Sequence, residues 1–373
     1  MEKRIIYADN AATTQVGPEA AQAAVDAMTN LYANPSSAHA FGAQAQQWLQ
    51  QSRQTVARAA GVEADTLYFT SGGTASDNLA IRGFLEAYRS RGGRIITSAY
   101  EHPAVLRCFE AEEKYFQAVY LTPNPDGIID PDLLQQALTP DTRLVSIMHV
   151  NNETGAVNPI RQLSALTRAL CPQALFHTDA IQGFLKEPFD YSCTDAASFS
   201  AHKNHAPKGI GALYVRRGVR LKPVQLGGGQ EKGLFSTTSN VPGAAAWAEA
   251  IRHTDVAAAQ TQVRKLYEAY VQILQRAGAR ILSPRNGSPY ILSAAFDGYL
   301  GENMLHALAE KEIYISTGSA CSSKHGSHVY QALGMQAIQK NVIRISFSSW
   351  NTLEQAQEFE QALHEVLQRL IKK

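Results

Sequence analysis

The sequence predicts an α/β protein whose larger part is a mainly parallel sheet with helices on both faces, followed by a smaller α/β unit. Short apolar segments typical of buried strands alternate with helical segments from residue 66 to residue 216. A long helical stretch at residues 243–277 interrupts this alternation. A second, shorter alternation of strands and helices follows it. Polar side chains come directly after several predicted strands, where ligands bind in parallel sheets.

The composition is that of an ordinary globular protein and excludes several classes of function. The chain has 373 residues, of which 45% are hydrophobic and 18% are charged, with a formal net charge of +1. A balanced charge does not attract nucleic acid or an anionic membrane. The four cysteines, Cys108, Cys171, Cys193 and Cys321, lack the spacing of a zinc site or a disulfide framework. With no evident signal peptide or long apolar run, we expect a cytoplasmic protein that binds neither nucleic acid nor membrane.

The first part of the chain contains a strand, a glycine turn and a helix in succession. The predicted elements here are an extended segment at 5–14, helices at 18–28 and 42–60, a strand at 66–70 and a helix at 75–87. The turn Ser71-Gly72-Gly73-Thr74 leads into the helix N-terminus, whose free N–H groups and dipole suit a phosphate. Glycines there are equally explained by a need for positive φ.

The remaining elements define two units. Predicted strands lie at 94–98, 118–121, 144–150, 175–179, 196–200, 211–216, 280–282, 291–296, 313–316 and 342–347. Predicted helices follow Pro103 and Pro131 and lie at 160–170, 243–277, 302–310, 329–333 and 353–371. We expect residues 1–15 to pack with a small C-terminal domain at 259–373, and residues 16–258 to form the large domain.

Lys203 follows a buried strand of small residues and is the candidate nucleophile. Desolvation and neighbouring cations at such a place disfavour the ammonium form, which is what an amine that attacks a carbonyl requires. The alternative is a solvated surface lysine. Other predicted strands also end in polar groups: Glu101 and His102 follow one of them, and Asp179 ends another. We therefore expect these groups to meet at one edge of the sheet.

Nine short sequence motifs, which include these polar residues, are distributed over nearly the whole chain. They are Tyr7-Ala-Asp-Asn-Ala-Ala-Thr-Thr14, Phe69-Thr-Ser-Gly-Gly-Thr-Ala-Ser-Asp-Asn78, Glu101-His102, His149-Val-Asn-Asn-Glu-Thr-Gly155, His177-Thr-Asp-Ala-Ile-Gln182, Ser200-Ala-His-Lys203, Gly227-Gly-Gly-Gln-Glu231, Gly318-Ser-Ala-Cys321 and Ile343-Arg-Ile-Ser346. In them the chain resembles the cysteine desulfurases of the NifS and IscS type, pyridoxal phosphate enzymes of the class V aminotransferase family. The resemblance implies aminotransferase fold type I, with a mainly parallel seven-stranded sheet in the large domain and a smaller α/β C-terminal domain.

The resemblance also implies a role for each matching residue. The implied cofactor-binding residues are Gly73, Thr74, His102, Asn152, Asp179, Gln182, Ser200, His202, Lys203 and, across a homodimer interface, Thr238. Lys203 would hold pyridoxal phosphate covalently, and Asp179 would keep the ring nitrogen protonated so that the ring can accept electrons. His102 would stack on the ring and move protons, while Gln182 would donate to its phenolic oxygen. The implied substrate-binding residues are Asn34, Asn152 and Arg344.

Cys321 would carry the distinctive step, with Lys203 and His102 as the other implied catalytic residues. Its thiolate would take the sulfur of L-cysteine as a persulfide, and L-alanine would leave. The implied context is sulfur transfer to an acceptor protein, as in iron–sulfur cluster biogenesis, in the cytoplasm.

Two alternatives stay open at this level. One is another class V pyridoxal phosphate enzyme, either an aminotransferase or a selenocysteine or cysteine lyase, in which Cys321 is incidental. The other is a sulfur-relay protein with weak catalysis, which is suggested by Phe235 and Thr237 in place of residues more usual in the loop before Thr238.

Overall fold

The structure is a computed structural model that describes residues 5–317 and 326–371. The strands are β1 (Ile6–Tyr7), β2 (Leu67–Thr70), β3 (Arg94–Ser98), β4 (Gln117–Leu121), β5 (Thr142–Ser146), β6 (Leu175–Asp179), β7 (Ala196–Ser200), β8 (Gly211–Val215), β9 (Arg280–Ile281), β10 (Ile291–Ala295), β11 (Ile313–Tyr314) and β12 (Val342–Ser346). The helices are α1 (Pro18–Thr29), α2 (Ala40–Ala59), α3 (Gly73–Leu85), α4 (Pro103–Glu112), α5 (Pro131–Ala137), α6 (Ile160–Leu170), α7 (Val241–Arg252), α8 (Val256–Arg276), α9 (Gly301–Ala309), α10 (His328–Ala332) and α11 (Leu353–Arg369).

A seven-stranded sheet organises the first part of the described chain, in the order β2-β8-β7-β6-β5-β3-β4. Strands β7, β6, β5, β3 and β4 run parallel to one another, and β8 is antiparallel to both of its neighbours. The predicted α/β fold with a mainly parallel sheet is therefore confirmed. A Cβ atom at Gly211, the first residue of β8, would lie 2.7 Å from the backbone carbon of Gly72. Glycine at this position thus lets the turn before α3 lie directly against the sheet.

Buried apolar residues on both faces hold the helices against this sheet. Phe199 in β7 packs with Phe184 at 4.7 Å between ring centroids, in a cluster that also contains Trp247 of α7. On the other face, Leu79 of α3 and Phe109 of α4 pack with residues of β3 and β5. Burying side chains of this size stabilises the fold by roughly 1.5–3 kcal/mol each.

The predicted single helix at 243–277 is wrong, because the structure contains two helices. Helix α7 ends at Arg252 and α8 begins at Val256. The side chain of Asp255 accepts a hydrogen bond from the Ala258 N–H at 3.0 Å and caps the second helix. Aspartate is a typical residue at a helix start, so Asp255 is the sequence signal that marks the break between α7 and α8.

The C-terminal part contains a three-stranded antiparallel sheet, β12-β10-β9, which packs against α8, α9 and α11. Strand β1 pairs in parallel with β11, and Ile6 joins the same apolar cluster as Leu292 and Phe359. The N-terminal segment therefore packs on elements that follow it by about three hundred residues. The domain boundaries at residues 15 and 258 stay a prediction.

Candidate active site

A cavity of about 220 Å³ lies at the carboxyl ends of β6 and β7, next to the first turn of α3. Of the residues implicated by the sequence, those that line it are Gly73, Thr74, His102, Asn152, Asp179, Gln182, Ser200, His202 and Lys203. These residues come from separate strand ends and loops, and the parallel sheet brings them to one edge, as expected for this class of fold.

The N-terminus of α3 forms one side of the cavity. Its N-cap residue, Gly72, has no side chain with which to cap the first-turn N–H groups. A Cβ atom at Gly73 would lie 2.1 Å from Cδ1 of Ile181, so glycine allows the helix to start close to the chain that follows β6. The hydroxyl-bearing residues Thr74 and Ser200 line the cavity beside these amides. Uncapped amides, the helix dipole and hydroxyl groups together suit a phosphate.

His202 completes this side as a neutral hydrogen-bonding group. Burial, with the nearby charges of Lys203 and Lys208, lowers the pKa of His202 to about 4. Its Nδ1 lies 3.1 Å from Oγ1 of Thr13, which belongs to the N-terminal segment. The ring is therefore neutral near pH 7, and only one of its two nitrogens carries a proton that it can donate.

Asp179 ends β6 and provides the buried carboxylate of the site. Its Oδ1 accepts a hydrogen bond from the Ile181 N–H at 2.9 Å, and the side chain is almost fully buried. Burial raises the pKa of Asp179, whereas the Ile181 N–H and the charge of Lys203 act in the opposite direction. A buried carboxylate of this kind favours a cationic partner.

Lys203 lies in a short turn after β7 and is held by the N-terminal segment. Its Nζ donates to the carbonyl oxygens of Ala11 and Ala12, both at 2.6 Å. The Ala11 oxygen also accepts from Nε2 of Gln182 at 2.8 Å. Sequence reasoning missed these backbone contacts, because small residues in a turn carry no signal of a distant lysine.

His102 lines the cavity from the N-terminus of α4. Its Nδ1 accepts a hydrogen bond from the Ala104 N–H at 3.1 Å. Burial, with the charges of Lys203 and His328, lowers the pKa of His102 to about 4, so the ring is neutral near pH 7. The proton of a neutral ring bonded in this way is on Nε2. In this arrangement Nε2 can donate a proton, but the ring cannot accept one unless Nδ1 leaves Ala104.

Arg344 is buried next to the cavity and is already paired. Its Nη2 lies 2.7 Å from Oδ1 of Asp9, and its Nη1 donates to the carbonyl oxygen of Asn152 at 2.9 Å. The guanidinium therefore links β12 to the N-terminal segment and to the loop that carries Asn152. Asp9 is a second group that sequence reasoning missed, although it lies in one of the segments that carry the resemblance.

Three predicted residues are not part of this arrangement. Asn34 lies in an exposed loop, where its side chain accepts from the Ser36 N–H at 2.9 Å. Thr238 lines a separate small cavity together with Ser71. Cys321 lies outside the described residues.

The described residues on either side of 318–325 are bonded to the elements that hold Arg344 and Asn152. Ser316 exchanges backbone hydrogen bonds with Arg344 at 3.0 and 2.7 Å. Oγ of Ser327 donates to Oε2 of Glu153 at 2.6 Å, and both side chains are buried. Ser316 and Ser327 therefore lie next to Arg344 and to the loop that carries Asn152 and Glu153.

The described residues contain neither a membrane-spanning helix nor a cluster of metal-binding side chains. No helix in residues 5–317 and 326–371 combines the length and the apolar character that a membrane span requires. Among the same residues, no group of three or more histidine, cysteine, aspartate or glutamate side chains is arranged to bind a metal ion.

Known proteins match this chain over nearly its full length. Residues 6–359 match the family model described as aminotransferase class-V. A NifS/IcsS protein homolog of Lactobacillus delbrueckii subsp. bulgaricus is 41% identical over 382 aligned residues, covering 99% of this chain and 98% of that protein. A protein of Methanosarcina thermophila named cysteine desulfurase IscS is 37% identical, with 99% and 93% covered. Among solved structures, a NifS-like protein superposes with a TM-score of 0.94 at 34% identity, covering 98% of this chain and 100% of that one.

Proposed function

Because the chain belongs to the class V aminotransferase family, we propose that it is a pyridoxal-phosphate-dependent cysteine desulfurase that converts L-cysteine to L-alanine. The observation that carries the proposal is the cavity in which Lys203, Asp179 and the uncapped start of α3 meet. The relatives named as cysteine desulfurases over nearly the whole length support the choice of reaction within the family.

The groups in the cavity fit pyridoxal phosphate at three points. The amine of Lys203 suits its aldehyde, the amides and hydroxyl groups at the start of α3 suit its phosphate, and the carboxylate of Asp179 suits its ring nitrogen. When bound, this cofactor supplies an electron sink that stabilises negative charge on the α carbon of the substrate. Asp179 would serve this chemistry by keeping a proton on the ring nitrogen.

The remaining side chains bind the substrate and move protons. Lys203 would move the α proton of the substrate on its Nζ. His102 would donate from Nε2, in agreement with its neutral ring and its bond to Ala104. Arg344 and Asn152 would orient the substrate carboxylate, and Arg344 would then share its Nη2 between this carboxylate and Asp9.

Cys321 would accept the sulfur. In the balanced step, the C–S bond of the substrate breaks and an S–S bond to Cys321 forms. The Cys321 thiol loses one proton and the β carbon gains one proton as alanine forms, so the step is balanced. The products are alanine and a persulfide on Cys321, which passes its outer sulfur to an acceptor.

Mass spectrometry after brief exposure to L-cysteine tests this function. We expect Cys321 to gain the mass of one sulfur atom while alanine accumulates, and Cys321→Ser to abolish both. Cys193→Ser is the matched control, because Cys193 is a partly exposed cysteine outside the cavity. If Cys321→Ser forms alanine at the wild-type rate, sulfur transfer to Cys321 is excluded.

The same assay separates the alternative functions. An aminotransferase or a selenocysteine lyase, given alanine or selenocysteine as well, would consume these in preference to cysteine, and a sulfur-relay protein with weak catalysis would form alanine only slowly. We also propose that the protein is a cytoplasmic homodimer in which Thr238 of each subunit serves the phosphate site of the other. The location of Thr238 away from its own cofactor cavity supports this arrangement.

A further inference from the structure

Lys186 is a buried cation that none of the steps above uses. It lies in the turn after β6, four residues beyond Gln182, and only 6% of the residue is exposed. Its Nζ is 3.2 Å from Oε1 of Gln182. Lysine is rarely buried without a partner that requires its charge or its N–H groups, so this contact calls for a physical reason.

The two contacts of Gln182 fix the orientation of its amide. Nε2 donates to the Ala11 carbonyl oxygen at 2.8 Å, and Oε1 accepts from Lys186. A carbonyl oxygen can only accept and an ammonium group can only donate, so both neighbours require the same orientation. The amide retains a second N–H on Nε2, and Gln182 lines the cofactor cavity.

The surroundings of Lys186 oppose its charge rather than support it. Burial lowers the pKa of Lys186 to about 7, the charges of Lys203 and Arg344 act in the same direction, and only Glu187 acts against them. The ring of Tyr290 lies 5.9 Å from Nζ and provides a weak additional contact. Retaining lysine here is unfavourable unless its N–H groups serve a neighbour.

We propose that Lys186 is a positioning residue that orients and polarises the Gln182 amide, so that this amide donates its second N–H to the phenolic oxygen of the bound cofactor. The proposal rests on the proposed function, because it assumes that pyridoxal phosphate occupies the cavity. An N–H donor on Oε1 withdraws electron density from the amide and strengthens its N–H groups as donors. Without Lys186, one of the two constraints on the amide is lost and Oε1 is left buried without a donor.

Four variants of the full-length protein test this role through cofactor binding. Lys186→Met removes the donor and its charge, whereas Lys186→Gln keeps an N–H donor without the charge. Gln182→Leu removes the amide, and Lys186→Met/Gln182→Leu removes both. The measurements are the Kd of pyridoxal phosphate for the apoprotein, and the position and pH titration of the visible absorbance band. Lys208→Met is the matched control, because it removes another cation near His202 that does not contact Gln182.

We expect Lys186→Met to raise the Kd about tenfold and to shift the pH titration of the band. Lys186→Gln should stay within about threefold of wild type, and the double variant should match Gln182→Leu alone. Lys208→Met should leave the Kd within about twofold.

Equal defects in Lys186→Met and Lys186→Gln would show that the charge matters and not the donor, and would overturn the proposal. Additive effects in the double variant would overturn it as well. Far-UV circular dichroism verifies folding, and Lys186→Ser, which is too short to reach Gln182, replaces the methionine variant if that variant does not fold. A wild-type apoprotein that fails to bind pyridoxal phosphate would instead contradict the proposed function itself.

Discussion

The two sides of the cavity, which the proposed function assigns to the cofactor and to the substrate, are built in different ways. On the cofactor side, Asp179 and Ser200 end neighbouring strands of one sheet, and Lys203 follows Ser200 by three residues. On the substrate side, Arg344 meets Asp9 and Asn152 across 335 and 192 positions of sequence. The first side is therefore placed mainly by the backbone hydrogen bonds of the sheet, to which Lys203 adds bonds to the N-terminal segment, and the second side is held by contacts between side chains and loops.

This difference predicts different consequences of mutation. Groups on the cofactor side are placed by the sheet, so replacing one should remove its chemistry and leave the fold intact. Groups on the substrate side also hold distant segments together, so replacing one should affect binding and stability at the same time. Four substitutions test this distinction, in order of decreasing expected effect.

Asp179→Asn should lower the rate of alanine formation by about 1000-fold or more, because a neutral amide cannot keep the cofactor nitrogen protonated. Stability should be maintained, since the substitution removes a buried charge. Steady-state kinetics and urea unfolding measure the two effects, with Asp126→Asn in an exposed turn as the control. A rate within tenfold of wild type would exclude this role for Asp179.

Arg344→Lys should lower kcat/KM for L-cysteine by roughly 30- to 150-fold, mainly through KM, because lysine cannot form the planar two-point contact with a carboxylate. Arg285→Lys is the control, since Arg285 is exposed. An unchanged KM would show that Arg344 serves only to join Asp9 and Asn152.

Asp9→Asn should lower the free energy of unfolding by about 1–3 kcal/mol, because it leaves the buried charge of Arg344 without its carboxylate. The KM for L-cysteine should not rise, since the guanidinium becomes more available to the substrate. Urea unfolding and steady-state kinetics measure these quantities, again against Asp126→Asn. A higher KM with unchanged stability would reverse our assignment of Asp9 to the structural partner of Arg344.

Glu153→Gln should change how stability depends on pH. Burial raises the pKa of Glu153 to about 7, so the folded state favours the protonated acid. The resulting stabilisation is complete below the unfolded value near 4.5 and is lost as the pH rises through 7. On the order of 1–3 kcal/mol should therefore be lost in the wild type between pH 5 and pH 8, and the variant should lose less. Urea unfolding at both pH values checks this, and parallel curves for the two proteins would contradict it.

The cofactor side was largely predictable because its signals are local. Asp179 and Lys203 each follow a short apolar run, and a parallel sheet brings such strand ends to one edge. Gly73 was identified by the same reasoning, since a glycine turn before a helix leaves free N–H groups that suit an anion. The error at residues 243–277 was also local, because Asp255 starts a second helix and was overlooked.

The partners that hold these residues from distant parts of the chain were less predictable, because their signals are not local. The resemblance identified Arg344, but no sequence pattern near Arg344 predicts its contact with Asp9. The two side chains come together only because β1 and β12 pack in one core. The Ala11 and Ala12 carbonyl oxygens that hold Lys203 are backbone atoms, which sequence letters do not distinguish. Lys186 was likewise invisible, since its four-residue spacing from Gln182 becomes meaningful only once both side chains are buried.

The sequence by itself therefore determined the α/β fold, the strand ends that carry polar groups and the family to which they belong. These depend on local periodicity and on motifs that are contiguous in the chain. Only the tertiary structure decided which partners hold Lys203, Gln182 and Arg344. Hydrogen bonds between distant segments depend on the packing of whole elements, and no local pattern encodes that packing.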